Sequence, residues 1–471
     1  MTKKTLVEQL VDFASSAAFD SLPEDVVHES KRALLDSIGC ALGGLSLDKG
    51  KIAVQVARGL GGPADARIFG TGQKVSVNAS AFANGELITA LDFDVCHIPP
   101  GHVSPYVIPS ILAMAERHRV SGKRLVAALA VAHEVSVRFG PAMAYYRDIK
   151  PGEQISFPSI MGYSSSVFGG TLGAGMLMGL DPKHLAHALG MAGRIAPAQS
   201  MTQWARSLPA TDEKYLMAGW ASQAQVMAAL LAQGGYRGDV GVLDGEFGFA
   251  RYMGSSKWNP ESITAGLGSQ WLTPAITIYK PYPHCRITHT ALDCLNSLMD
   301  KHGLAPEEMK EVRVYCDPHA ANLDLWKTTE VISPMEAQMT VPWAISMAAH
   351  NVPRGPEWQD YATLANPRYR GFMQKVRTLP HPGFEAALAE NPHSRIGKVE
   401  IDARDTTFVE ERRFRKGSPA TPETRMSDAE IVAKFKHNAG RVLTAEAMDR
   451  LADGILRLEE ADDIEALAQW W

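Results

Sequence analysis

The sequence predicts a mainly α protein with a large all-helical domain followed by a smaller α+β unit. Residues 1–270 carry apolar side chains at helical spacing in one segment after another. Near residue 272 the pattern changes, and short alternating segments typical of strands appear between helical ones. We therefore predict an all-helical domain over residues 1–270, an α+β domain over 271–415, and helices over 416–471 that return to the first domain.

The helical segments of the first domain are rich in alanine, glycine and methionine, which suits close packing. Residues 31–42 have apolar side chains at helical spacing. Residues 123–139 are apolar on most faces, which is typical of a helix inside a large bundle. Residues 185–196 and 215–233 continue the pattern. The uncharged stretch 154–180 is full of serine, glycine and proline, so it predicts a buried segment rather than a membrane span.

The α+β unit combines three short strand-like segments with two helical ones. Residues 275–279, 311–315 and 398–402 alternate apolar and polar side chains, as strands with one buried face do. Residues 288–302 and 335–350 have helical spacing. A mixture of this kind predicts a sheet covered by helices.

The C-terminal segment opens with a helix-start signal. Ser427 and Glu430 match a capping box, in which the serine accepts from the backbone and the glutamate reaches back to it. We expect these helices to pack on the first domain, which places an active site between the domains, where small-molecule clefts are common.

The composition excludes several classes of protein. The chain has 471 residues, 45% of them hydrophobic, with a net charge of -5 and a pI of about 6.3. This balance does not favour nucleic acid or an anionic membrane as a partner. The five cysteines form no CxxC pair, and the charged N-terminus has no apolar signal core. We therefore predict reduced thiols and a cytoplasmic protein.

Two polar clusters stand out from this background. Residues 90–102 contain two carboxylates, a thiol and two imidazoles within thirteen positions. Residues 280–289 contain a lysine, an arginine, two histidines and a cysteine. Such groups are costly to bring together unless chemistry or a metal uses them. If the fold joins the two clusters, they form an acid/base site surrounded by positive charge, suited to a small polycarboxylate.

The chain resembles the MmgE/PrpD family in five ordered motifs. Residues 90–102 resemble its L-D-F-D-D-T run with a downstream histidine, and residues 280–289 resemble K-P-Y-P-x-C-R-x-T-H. Residues 214–219 are similar to a K-P-L-H-x-G run, and residues 242–249 and 429–435 are similar to further family stretches. The resemblance covers nearly the whole chain. It implies a large all-α domain, a smaller α+β lid, a homodimer, and catalysis without a metal, iron–sulfur cluster or organic cofactor.

The family acts on small polycarboxylates as dehydratases, decarboxylases or epimerases, so a carbanion forms or is protonated next to a carboxylate. Such chemistry needs a placed acid/base and cations aimed at the developing charge. His102 is the candidate acid/base, because imidazole titrates near neutral pH. Asp92 is predicted to orient an imidazole or a lysine. Lys214 and Lys280 supply cations, and Arg286 is predicted to hold a substrate carboxylate with its planar fork.

The chain departs from the family pattern at several polar positions. Val95 and Cys96 stand where the family has aspartate and threonine, and Tyr163 lies in a region where the family has a histidine. Met217 replaces a histidine, and Trp343 stands where decarboxylase-like members have a tyrosine. We predict that Cys96 and Tyr163 contact the substrate. Because lost polar groups alter selectivity, we expect a substrate other than 2-methylcitrate or cis-aconitate, and Trp343 disfavours a cis-aconitate decarboxylase.

Two more residues are assigned to the substrate, each with a structural alternative. Arg206 is predicted to contact a carboxylate, and solvation at the surface is the alternative. His289 is predicted to bind the substrate, and packing near a helix start is the alternative.

Other chemistries remain open. The spacing of Asp92, Asp94, His97 and His102 is compatible with a metal site of a hydrolase, and Asp94 alternatively caps the following loop. Cys285 is a candidate nucleophile without a clear partner. The leading hypothesis is a cofactor-independent hydro-lyase acting on a hydroxylated di- or tricarboxylate. A decarboxylase or epimerase, or a catalytically inactive paralogue, is the alternative.

Overall fold

The computed structural model describes residues 4–158, 160, 162–198, 201–214 and 217–471. Helices dominate this part of the chain and the sheets are small, so the predicted mainly α class is confirmed. The domain boundaries and the lid arrangement remain predictions.

The helices are numbered in chain order. Those before the α+β segment are α1 (Leu6–Ser16), α2 (Glu24–Gly44), α3 (Asp48–Gly59), α4 (Val77–Thr89), α5 (Ser104–His118), α6 (Gly122–Ala142), α7 (Ser166–Met178), α8 (Pro182–Arg194), α9 (Met201–Trp204), α10 (Ala218–Gln233), α11 (Phe249–Tyr252), α12 (Glu261–Thr264) and α13 (Thr273–Ile276). The rest are α14 (His289–His302), α15 (Pro318–Asn322), α16 (Asp324–Lys327), α17 (Pro334–Ala337), α18 (Val341–Ala349), α19 (Tyr361–Leu364), α20 (Pro367–Met373), α21 (Phe384–Glu390), α22 (Asp428–Ala439), α23 (Ala445–Leu456) and α24 (Glu465–Ala468).

The centre of the helical region is a bundle in which α4, α5, α6, α7 and α10 pack on one another. Small residues let these helices approach closely. A Cβ at Gly169 of α7 would lie 2.2 Å from the carbonyl oxygen of Ala132 in α6. Among the described residues, α6 is long and apolar enough to cross a membrane, but 94% of its apolar window is buried inside the protein. It therefore has the character of a core helix, as its sequence predicts.

Nine short strands form three sheets in the described part of the chain. They are β1 (Ala66–Arg67), β2 (Lys74–Val75), β3 (Cys96–His97), β4 (Gly101–His102), β5 (Thr277–Ile278), β6 (Met309–Cys316), β7 (Val376–Pro380), β8 (Gly397–Ala403) and β9 (Thr406–Arg412). The pair β1–β2 is antiparallel. The order β4-β3-β5 is antiparallel throughout. In the third sheet, β7-β6-β8-β9, only β6–β7 is parallel. Helix α14 covers this third sheet.

Most predicted elements are present, with two corrections. The segment 275–279 is not one strand, because Pro274 sits in the first turn of the short helix α13 and only β5 is extended. The helical segment 335–350 is broken into α17 and α18, since Pro342 lies in the first turn of the second helix, which begins at Val341. Helix α10 begins at Ala218, and the earlier part of the predicted segment lies partly outside the described residues.

The C-terminal helices lie against the helical region. Helix α22 packs on α2, and the predicted capping box of Ser427 and Glu430 is present at its start. From α22, the Lys434 Nζ reaches Asp36 Oδ1 at 2.6 Å and donates to the carbonyl oxygen of Phe93 at 2.6 Å. This contact supports the loop that follows α4, where the first polar cluster begins.

Candidate active site

A small three-stranded sheet joins the two polar clusters that the sequence singles out. In its register Cys96 of β3 lies opposite His102 of β4 and, on the other side, opposite Ile278 of β5. Lys280 follows the end of β5 after one residue, Tyr279. Segments nearly two hundred positions apart are therefore held side by side by backbone hydrogen bonds.

Asp92 is the centre of a buried ionic cluster. Its Oδ1 pairs with the Nζ of Lys214, and its Oδ2 lies 2.9 Å from the Nζ of Lys280. Lys280 also donates to the Asp92 carbonyl oxygen at 2.6 Å. Burial raises the pKa of the Asp92 carboxyl, but the two ammonium groups outweigh burial and hold the pKa below its usual range. Asp92 thus lies against both lysines, and its Oδ1 is also 3.7 Å from the Nε2 of His102, so it contacts both kinds of group that it was predicted to orient.

His102 is held by Asp94 and lies against Cys96. The His102 Nδ1 is 2.6 Å from Asp94 Oδ2 and 3.6 Å from Cys96 Sγ. Burial alone would lower the pKa of His102. The Asp94 carboxylate and the Cys96 sulfur have the larger, opposite effect, so the pKa is raised above its usual value of 6.5. Burial raises the pKa of the Cys96 thiol, but the charges of Arg286, His102 and Lys280 bring it below its usual value. Asp94 is therefore the partner of His102, rather than a loop cap.

One cavity is lined by three of the groups described so far, while Asp92, Asp94, Cys96 and Lys214 lie outside its described lining. Its described lining combines an imidazole, an ammonium group and four guanidiniums with aromatic and apolar side chains. The lining residues are Ile98, His102, Tyr146, Arg147, Tyr163, Met201, Lys280, Cys285, Arg286, Ile287, Trp326, Arg395 and Arg415. His102, Lys280 and Arg286, which the sequence assigns to one site, all line it.

Three of the four arginines were missed by the sequence reasoning. Arg147 follows α6, Arg395 precedes β8 and Arg415 follows β9. Arg147 is paired with Asp317, with its Nη2 at 2.6 Å from Oδ2. No local motif marks these residues, because they reach the cavity only through the packing of distant segments.

The other predicted site residues divide into two groups. Tyr163 lines the cavity, with its ring 6.3 Å from that of His102, and burial raises the pKa of its hydroxyl. Its hydroxyl lies against Gly101, where a Cβ would approach it to 2.5 Å and where φ is +138°. His289 and Arg206 are outside the described lining of the cavity. The His289 Nε2 is 3.0 Å from the carbonyl oxygen of His284 inside the core, and Arg206 is exposed.

The candidate metal ligands in the structure differ from those that the sequence suggested. Asp94, Cys96 and His102 have ligand atoms within 4.8 Å of one another. His97 does not join them, since its ring is buried 5.2 Å from that of His133. Carboxylate, thiolate and imidazole are acceptable ligands for zinc, but Asp94 already binds the His102 Nδ1.

Trp343 is not among the described residues that line the cavity. It is fully buried in the core, and its Nε1 donates to the carbonyl oxygen of Trp358 at 2.8 Å. The substitution at this position therefore carries no argument about the cavity's chemistry.

Comparison with known proteins shows the family of this chain. The model of the MmgE/PrpD N-terminal domain matches residues 8–261, and the model of the C-terminal domain matches residues 282–460. Two cis-aconitate decarboxylases illustrate the similarity to curated proteins. One from Aspergillus terreus is 26% identical over 495 residues, covering 99% of this chain and 96% of that protein. One from Homo sapiens is 24% identical over 484 residues, covering 99% and 94%. The chain therefore belongs to the MmgE/PrpD family.

Proposed function

We propose that the protein is a cofactor-independent lyase that decarboxylates a small unsaturated polycarboxylate related to cis-aconitate. The observation that carries the proposal is the position of His102. It is held by Asp94 and lines one cavity with Lys280 and Arg286. A proton donor surrounded by cations suits a reaction that forms a carbanion next to carboxylates.

The surroundings of His102 favour decarboxylation over dehydration. Asp94 and Cys96 outweigh burial and raise the pKa of His102, which favours the protonated imidazole and suits a proton donor. Decarboxylation needs one such donor. Dehydration needs a neutral base for the carbon-bound proton and a separate acid for the departing hydroxide. The similarity to full-length cis-aconitate decarboxylases supports the same choice, and the buried position of Trp343 removes the argument against it.

The proposed reaction has two steps. The bond between a substrate carbon and one carboxylate breaks, carbon dioxide leaves, and the electron pair spreads over the adjacent double bond and a remaining carboxylate. Lys280 and Arg286 stabilise that charge. The His102 Nε2–H then donates its proton to carbon, and Asp94 keeps the ring oriented through Nδ1. Asp92 fixes the ammonium group of Lys280 through Oδ2.

Turnover in deuterated water tests the proposal directly. Purified protein is incubated with a panel of unsaturated and hydroxylated polycarboxylates, and products are read by NMR. We expect the wild type to release carbon dioxide and to incorporate one deuterium into each product molecule. We expect His102→Gln to lose this turnover. The matched control is His184→Gln, because His184 makes a similar 2.8 Å contact to Asp181 on the surface.

Other outcomes would replace the proposal. Formation of an alkene from a hydroxylated acid without carbon dioxide identifies the hydro-lyase that the sequence suggests. Deuterium exchange at an α-carbon alone identifies epimerase-type chemistry. A full panel without turnover or exchange identifies a catalytically inactive paralogue.

Two features of the assembly belong to the same proposal. The α+β segment is proposed to act as a lid, since the cavity is walled by residues up to Met201 on one side and from Lys280 onward on the other. The protein is proposed to form a homodimer through α3 and α10, which flank α4. The exposed large apolar side chains of these two helices are Ile52, Val56, Trp220, Met227 and Leu231.

The cellular setting is also a proposal. All five cysteines are free and buried, which supports a reducing compartment such as the cytoplasm.

A further inference from the structure

Arg395 and Arg415 in the cavity, like the partly buried Arg286, have no carboxylate partner in the part of the chain that the structure describes. The buried arginines of that part are Arg138, Arg147, Arg395 and Arg415. Arg138 pairs with Glu134 at 2.8 Å, and Arg147 pairs with Asp317 at 2.6 Å. Arg395 bonds only to backbone carbonyls, those of Pro392 and Ser394, and the Arg415 Nε has no hydrogen-bond partner.

The β8–β9 hairpin brings these two arginines together. Gly397 lies opposite Arg412 in the hairpin register, and beyond its open end the Arg395 N–H donates to the carbonyl oxygen of Arg413 at 2.9 Å. Arg415 follows two positions later, and both side chains turn into the cavity. Burial, together with the charge of Arg147, lowers the pKa of Arg395 to about 9.

The carboxylates around the cavity are already occupied. Asp317, whose charge acts on Arg395, is paired with Arg147. Asp92 is shared by Lys214 and Lys280, and Asp94 holds His102. The partly buried Arg286 also has an Nη1 without a hydrogen-bond partner. A buried guanidinium without a counter-charge is costly to maintain, and its planar fork matches a carboxylate. The cavity therefore lacks several negative charges that a bound anion would supply.

We infer that Arg395 and Arg415 form a carboxylate subsite that binds a substrate group not involved in the reaction and makes the enzyme selective for tricarboxylates. The inference rests on the proposed function. Arg286 and Lys280, next to His102, serve the reacting end, and the hairpin pair serves the additional carboxylate. Arg395 and Arg415 are thus specificity-determining residues.

Binding of two inert ligands that differ by one carboxylate tests the inference. Propane-1,2,3-tricarboxylate and glutarate share a carbon chain, and only the first carries the middle carboxylate. Calorimetry on the full-length protein should show about 100-fold tighter binding of the tricarboxylate, because charge-assisted hydrogen bonds contribute at roughly this level. In Arg395→Gln and in Arg415→Gln the affinity for the tricarboxylate should fall by about 10- to 100-fold. The affinity for glutarate should change less than about threefold.

The ligand-free protein gives a second readout. Removing an uncompensated buried cation should leave the melting temperature unchanged or raise it, and tricarboxylate should no longer raise it further. If a glutamine variant fails to fold, Arg395→Lys and Arg415→Lys replace it. They keep the charge without the planar fork, so their affinity for the tricarboxylate should lie between those of the wild type and a glutamine variant. The control is Arg377→Gln, which removes an exposed arginine that pairs with Glu311 on the same sheet.

The outcomes separate this inference from the proposed function. Equal loss of affinity for both ligands, or no loss for either, overturns the subsite even if the protein decarboxylates its substrate. Selective loss of tricarboxylate binding in a protein without decarboxylase activity supports the subsite and refutes the proposed reaction. Protection by inorganic phosphate that exceeds protection by the tricarboxylate also overturns it, because the site would then be built for a phosphate group.

Discussion

Asp92 and Lys214 are joined by an ion pair although each holds a backbone conformation unfavourable for its side chain. Their φ angles are +50° and +53°, in the left-handed region that L-residues adopt at a cost of about 1–3 kcal/mol. The pair is fully buried, and Lys280 completes it from the opposite segment. Strained backbone at both partners indicates that the surrounding fold specifies this cluster closely, as is typical of functional sites.

Asp92→Asn should therefore abolish activity and destabilise the fold. The variant leaves two ammonium groups buried without their carboxylate, and breaking a buried pair in this way costs about 3–5 kcal/mol. The pKa of the Asp92 carboxyl is lowered in the folded state. The stabilisation by Asp92 is therefore fully present at neutral pH, and it is lost only as the pH falls below 3.8, the usual pKa of an aspartate. Urea denaturation at pH 7 and turnover measure the two effects.

The control for this variant is Asp405→Asn. Asp405 also has a left-handed backbone, with φ +57°, and also pairs with a lysine, Lys310, but both side chains are exposed. A surface pair of this kind contributes about 0–1 kcal/mol, so stability and turnover should hardly change. Equal destabilisation by both variants would show that backbone conformation, rather than the buried charge, is responsible.

Asp94→Asn should shift the pH dependence of turnover. The folded-state pKa of His102 lies above 6.5 because Asp94 and Cys96 outweigh burial, so the imidazolium donor is lost as pH rises through that raised value. Without the carboxylate, burial dominates and the pKa falls. The alkaline limb of the rate profile should then move to lower pH, with about 10²–10⁴-fold less turnover at neutral pH.

Glu357→Gln is the matched control for that experiment. Glu357 lies 3.0 Å from the surface imidazole of His437 and raises its pKa. This variant should alter the His437 resonance in NMR and leave the rate profile in place. An unchanged profile in Asp94→Asn would assign the alkaline limb to a group other than His102.

Metal removal should leave the activity intact. Asp94, Cys96 and His102 are close enough to share an ion, but Asp94 and His102 already bind each other through Oδ2 and Nδ1. We expect less than about 0.1 equivalent of bound metal by elemental analysis, and full turnover after chelator treatment. Stoichiometric zinc together with chelator-sensitive turnover would establish the metal centre instead.

Trp220→Glu should disrupt the proposed homodimer. Trp220 is 56% exposed on α10, and a charge in the middle of an apolar interface is strongly unfavourable. Light scattering after size exclusion should show a shift from dimer to monomer at micromolar concentration. The control Phe247→Glu changes another exposed aromatic side chain, 79% exposed and outside α3 and α10. A wild-type protein that is already monomeric would refute this interface.

The sequence was informative wherever a local pattern carries the physics. Helical spacing predicted α2 and α6, and motif resemblance predicted that His102, Lys280 and Arg286 share a site, as the cavity places them. Asp94 was left between a metal ligand and a loop cap, because the choice of partner depends on how β3 and β4 pair.

Long-range packing explains what the sequence did not predict. Arg395 and Arg415 flank a hairpin whose register, rather than any motif, brings them together. His289 has the motif's identity but lies at the start of α14, where its ring faces the His284 carbonyl instead of the cavity.

Trp343→Tyr tests whether the family tyrosine at this position matters for chemistry. Trp343 is buried away from the described lining of the cavity, and its Nε1 donates to the Trp358 carbonyl oxygen at 2.8 Å. The smaller ring leaves space in the core and loses that hydrogen bond, so we expect a loss of about 1–3 kcal/mol in the free energy of unfolding. Turnover should stay within about threefold of wild type, since no contact to the reacting groups changes. Trp326→Tyr is the comparison, because Trp326 lines the cavity, and it should change KM. If instead Trp343→Tyr changes the product ratio while Trp326→Tyr does not, residue 343 acts on the substrate through the core. The residue type at position 343 would then indicate the reaction type.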